Sequence, residues 1–80
     1  MGIDSIENKI CLFPNPTHNW LNINLGQPFS YILFNNIGQL IREGKAEEDA
    51  VIDCRTLPQG IYILQIATKT QVSTKKIIVN

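Results

Sequence analysis

"FPNPTHNWLNINL", residues 13–25, decides how the rest of the chain is read. Pro14 has no N–H to give a ladder and stops any strand that reaches it, while Pro16 drives Asn15 toward extended or polyproline geometry. "PNP" is therefore a stiff corner with little freedom to lose on folding. After it, Leu21, Ile23 and Leu25 fall on one face of an extended segment and Trp20, Asn22 and Asn24 on the other. That alternation marks a strand with one face in a core and one in water.

The same period runs outward in both directions. "KICLF" (9–13) reads as the first strand. Gly26 and Pro28 end the strand of residues 19–25, and "SYILFN" (30–35), apolar on both faces, suits a central strand buried from two sides. In "NNIG" Asn35 takes the first and Gly38 the fourth place of a type I turn, which leads into "QLIRE" (39–43) as a hairpin. "GKAEEDA" (44–50) has no apolar pattern and is expected as an exposed loop; its adjacent acids lack the ligand spacing and turn glycine of a calcium site. After "VIDC" (51–54), "LPQGIYILQIAT" (57–68) places Pro58 second and Gly60 fourth in a turn, followed by Tyr62, Leu64 and Ile66 alternating inward. Tyr62 is expected to return its hydroxyl to nearby backbone as a tyrosine corner. "QVSTKKIIVN" (71–80) closes the chain through a tight "TKTQ" hairpin. No window longer than ten residues repeats apolar positions at helical spacing. The expected fold is all-β, an immunoglobulin-like β-sandwich of about seven antiparallel strands, with a closed barrel as the rival.

Composition narrows the function. Eighty residues at 44% hydrophobic content make one domain with one core and little room for a deep cleft. Seven basic and seven acidic side chains cancel, so no global field gathers nucleic acid or an anionic membrane, although Lys69, Lys75 and Lys76 stand among the last twelve residues with no acid. No apolar run approaches the roughly 20 residues that span a bilayer, and "MGIDSIENK" lacks the basic and apolar regions of a secretory signal. Cys11 and Cys54 fit no metal spacing; they read as small buried hydrophobes, with a disulfide between them left open. His18 is the single histidine, which excludes a His-based zinc cluster. Ser30, Ser73, His18 and Asp53 carry no glycine elbow, and nothing in the spacing joins them into a catalytic triad. No enzyme activity, metal or cofactor is expected. Trp20, Asn22 and Asn24 could offer a polar and aromatic strip to a sugar, but the plainer account is the wet face of a strand.

Three separated pieces in fixed order carry more: "FPNP" at 13–16, "LPQGIYIL" at 57–64 and "KKIIVN" at 75–80, with "YILFNNIGQLIREG" at 31–44 between them. Together they resemble the C-terminal sorting domain, type A, of the type IX (Por) secretion system of the Bacteroidota. The resemblance covers residues 9–80 and leaves 1–8 as a linker or expression remnant. Phe13 departs from it, since tyrosine is more usual before Pro-Asn-Pro. The resemblance implies an address label at the end of a larger exported cargo, to which it is covalently linked. The cargo would enter the periplasm by its own signal and cross the outer membrane through the translocon. A sortase-like cysteine peptidase would then remove the label, leaving cargo on the cell surface or released. Pro14, Asn15, Pro16, Gly60, Tyr62, Lys75 and Lys76 would be the sorting-motif residues, serving recognition or the fold. Lys75 and Lys76 would orient the machinery on the last strand while Ile77, Ile78 and Val79 hold that strand on the core. An exposed edge strand also allows weak dimerisation. The alternative function is an adhesion or carbohydrate-binding module built on the same sandwich.

Overall fold

A computed structural model describes residues 19–80 and, as backbone, residues 11–13. The strands in chain order are β1 (Cys11–Phe13), β2 (Trp20–Asn24), β3 (Phe29–Asn35), β4 (Leu40–Ala46), β5 (Asp49–Asp53), β6 (Gly60–Ala67) and β7 (Val72–Val79). They divide into two sheets, one ordered β1-β2-β5 and one ordered β4-β3-β6-β7. Every pairing is antiparallel. The described residues contain no helix, and two separate sheets replace the closed barrel.

Alternation builds the core. Leu21 and Ile23 of β2 and Ile52 of β5 point inward from one sheet. Phe29 and Leu33 of β3, Tyr62, Leu64 and Ile66 of β6, and Ile77 and Val79 of β7 point inward from the other. All belong to one buried cluster, completed by Leu25 and Cys54. Burying apolar side chains in a single shared layer is what lets so short a chain hold two sheets together.

The hairpin after β3 follows its sequence signals. Gly38 N donates to Asn35 O at 3.1 Å, closing the turn, and Gly38 has φ +87°, a left-handed value that suits glycine. Asn35 Oδ1 accepts from Ile37 N and Gln39 N, so the side chain braces its own turn. The hairpin between β6 and β7 is closed by Thr68 N donating to Gln71 O at 2.8 Å.

Two expectations need correction. Residues 30–35 are not buried from two sides: Phe29 and Leu33 are buried, whereas Ile32 and Phe34 are half-buried on the outer face. The apolar run encodes a central place within the sheet, between β4 and β6, where the outer residues are shielded by cross-strand neighbours such as Ile63 beside Phe34. Residues 44–50 are not a loop. Strand β4 runs through Ala46 and β5 starts at Asp49, leaving Glu47 and Glu48 as the connection. Glu48 O there accepts from Leu25 N and Gly26 N, each at 3.0 Å. Pairing with Phe29, Ser30 and Tyr31 makes Gly44–Ala46 a strand without any apolar pattern of its own.

Gly44 has a specific reason to lack a side chain. It lies opposite Tyr31, and a Cβ there would stand 2.5 Å from the Tyr31 hydroxyl oxygen and 2.7 Å from Cζ. Gly44→Ala is therefore expected to lower stability by about 1 kcal/mol, because the ring must move at a half-buried edge rather than in the deep core. In a Tyr31→Ala background most of that loss disappears, which a double-mutant cycle of urea midpoints measures.

Candidate functional site

Of the residues singled out by sequence, Pro14, Asn15, Pro16 and His18 lie outside the described residues. Their flanks are placed: Phe13 pairs with Asn22, and Asn19 O accepts a 2.8 Å hydrogen bond from Cys54 N.

The remaining motif residues are brought side by side. Gly60 pairs with Val79, Tyr62 with Ile77, Ile63 with Lys76 and Leu64 with Lys75. The β5–β6 corner and the closing strand, remote in sequence, thus form one continuous patch of the second sheet. Tyr62 is buried, and its hydroxyl donates to Pro58 O at 2.6 Å. This is the expected tyrosine corner, tying the start of β6 to the segment before it. Gly60 has φ +155° with no atom within 4 Å of an added Cβ, so backbone conformation alone favours glycine there. The hydrogen-bonded turn differs from expectation: Leu57 N donates to Cys54 O at 3.2 Å, three residues earlier than a turn spanning Leu57–Gly60. Pro58 serves instead as the acceptor for Tyr62. A depression of about 190 Å³ lies between this corner and the Asn35–Gly38 turn, lined by Asn35, Asn36, Pro58, Gln59 and Ile61 besides the two motif residues.

Consecutive strand residues alternate faces, and the lysine pair is split accordingly. Lys75 shares the inner face with fully buried Leu64, and Lys76 shares the outer face with Ile63. The inner face of β7 reads Ser73, Lys75, Ile77, Val79: polar over its first half and fully buried hydrophobe over its second. Ser73 Oγ is buried without a hydrogen-bond partner among the described residues. Ile77 and Val79 therefore attach β7 to the core. Ile78 does not; it lies on the outer face opposite Ile61, and both are exposed.

A second cluster was missed in the sequence. Asp53 accepts from Arg55 N, Nε and Nη2, each at 3.0 Å, and the Arg55 guanidinium sits 4.4 Å from the centre of the Trp20 ring. Its signals were the Asp-x-Arg spacing, which permits an Asx turn, and the outward register of Trp20 opposite Asp53. Arg42 also reaches this end of the fold, Nη2 donating to Thr56 Oγ1 at 3.1 Å. With Arg55 across its ring, Trp20 is engaged within the chain, and no observation supports the sugar-binding alternative. Ser30 on the outer face of β3, Ser73 on the inner face of β7 and Asp53 in the other sheet are not brought together. No group of three or more metal-ligating side chains occurs among the described residues. Cys54 is a buried free thiol whose pKa is raised by burial; nothing is described of the Cys11 side chain.

The Arg55 side chain and backbone N–H hold the Asp53 carboxyl at about 2, below its usual 3.8. A depressed carboxyl pKa adds stability above the unfolded value and loses it as pH falls through the folded one. Acid titration at low salt is expected to change Trp20 emission with a midpoint near 2, as Asp53 protonates and releases Arg55. Asp53→Asn removes the transition, and raising salt weakens the pair because it is exposed.

The family described as secretion system C-terminal sorting domain matches residues 11–80. Comparison with curated proteins gives no match.

Proposed function

The chain belongs to the secretion system C-terminal sorting domain family and is a C-terminal secretion signal for the type IX secretion system; from that premise we propose that the export machinery reads the folded unit at β7 and the β5–β6 corner. A signal of this kind implies secretion across the outer membrane, to the cell surface or into the medium. The domain would be substrate rather than catalyst: covalently joined to an N-terminal cargo, taken from the periplasm by the outer-membrane translocon and cut off by a sortase-like peptidase. The fold would be an immunoglobulin-like sandwich in which the fourth strand pairs with the third rather than the fifth. Its strand order and the Tyr62 corner support that reading.

One observation carries the proposal. The corner motif and the closing-strand motif occupy adjacent, fully paired strands, so a single contact can read both. Strand edges are natural docking elements because their outward N–H and C=O groups accept another strand. The test is a periplasmic reporter fused to residues 9–80, expressed with and without the translocon. Surface display that requires the translocon is expected; display in its absence, or none in its presence, overturns the reading. Within the same assay Lys75→Ala/Lys76→Ala is expected to leave the thermal midpoint nearly unchanged, since neither lysine is a fully buried core residue, while reducing surface reporter. Undiminished display would leave the lysines as edge charges that discourage aggregation.

A further inference from the structure

The two cysteines belong to one sheet and are kept apart by it. That sheet is ordered β1-β2-β5; Cys11 opens β1 and Cys54 directly follows β5, so β2 stands between them. Two strand spacings set their backbones about 10 Å apart across the sheet. They are displaced along it as well. Cys11 pairs with Asn24 at one end of β2, whereas Cys54 is level with Asn19 just beyond the other end, its N–H donating to Asn19 O at 2.8 Å. The step from Asn24 back to Asn19 adds about 16 Å along the strand. A disulfide needs Cα atoms within about 7 Å, so none joins these residues while β1 is paired with β2.

Cys54 is also held in place. It is 1% exposed within the core cluster, its Sγ donates to Ile52 O at 3.7 Å, and its carbonyl accepts from Leu57 N at 3.2 Å. Burial raises its pKa, which keeps the reactive thiolate scarce. None of these restraints acts on the unfolded chain, where the stretch of about 40 residues between the cysteines closes into a loop at modest entropic cost.

We propose that a Cys11–Cys54 disulfide and the native fold exclude one another, so that thiol oxidation acts as a switch: the cross-linked chain is held with β1 released and Cys54 drawn out of the core, and reduction lets it close. The step needs a disulfide oxidant such as oxidised glutathione. The thiolate of one cysteine attacks it and releases one glutathione; the thiolate of the other attacks the protein sulfur of that mixed disulfide and releases the second. Two thiols are oxidised, one disulfide is reduced, and both protons end on glutathione. In an oxidising compartment such as a bacterial periplasm, the order of events then decides the outcome. A chain that folds first keeps its Cys54 thiol inside the core, and a chain oxidised first is trapped open.

The test exposes the full chain to oxidised glutathione in native buffer and in urea, at low protein concentration, and reads the intramolecular cross-link by mass, as the loss of two hydrogen atoms from the monomer. Cross-linking is expected to be about a hundredfold slower in native buffer, because opening must precede it. The chain cross-linked in urea and returned to native buffer should have a urea midpoint below that of the reduced chain. It should also lack hydrogen-exchange protection at residues 11–13 and at Cys54, whose N–H is released from Asn19 O. A dithiol reductant should restore both. The direction is diagnostic, since a cross-link compatible with the native state raises the midpoint by constraining the unfolded chain. Equal rates in the two solvents, a cross-linked chain with a midpoint at or above the reduced one, or protection kept at residues 11–13 overturns the proposal. Neither result bears on the reading of this chain as an export signal, which the reporter assay tests separately.

Discussion

Leu64→Ala is expected to be among the most damaging single changes to this domain, lowering stability by about 2–5 kcal/mol. Leu64 is fully buried on β6, with Leu33 opposite it on one neighbouring strand and Lys75 on the other. Removing its branched end leaves a gap where both sheets meet, and neighbours held in paired strands close it only in part. A domain of this length has a total stability of roughly 4–12 kcal/mol, so the variant stands near the edge of folding. Urea denaturation checks this: the midpoint should fall with the slope unchanged. A loss under about 1 kcal/mol would mean that the sheets collapse onto the gap, contrary to one tightly shared core. Export of a fused reporter should fall with it, and this separates a fold residue from a contact residue. Leu64→Ala loses stability and display together, whereas the lysine pair loses display alone.

Tyr62→Phe is the second large effect, expected to cost about 1–3 kcal/mol. The substitution keeps the buried ring against Ile77 and deletes only the hydroxyl that reaches Pro58 O. The lost bond fixes where the segment following β5 delivers the chain into β6, and therefore the start of the strand on which β7 lies. An unchanged denaturation midpoint would show that backbone geometry at Pro58 and Gly60 holds the corner without the bond. Hydrogen exchange should find the loosening first around residues 58–62, ahead of the β3–β4 hairpin, because the hydroxyl bridges only that corner.

The strands were legible wherever apolar and polar residues alternate. The inward sets Leu21–Ile23 and Tyr62–Leu64–Ile66 are core residues, as period two requires. Turns written in Asn, Gly and Thr were equally plain, since those side chains act on their own backbone. Gly44–Ala46 was not legible as strand, because its place comes from the partner β3 and from the Tyr31 ring opposite Gly44. In the candidate site the motif residues Gly60, Tyr62, Lys75 and Lys76 were named from sequence, but their adjacency was not. Nor was the Arg55–Trp20 stack, which needs β2 and β5 to be neighbours.

By itself, then, the amino-acid sequence determined the all-β class, the inward-facing residues of its clearest strands, the tyrosine corner and the family. Each of these is carried by short-range periodicity, turn chemistry or an ordered set of motifs. Only the tertiary structure decided which strands share a sheet, that β6 and β7 set the two motifs side by side, and that two consecutive lysines lie on different faces of β7. Pairing across long loops depends on which buried faces meet, and no local run of residues contains that information.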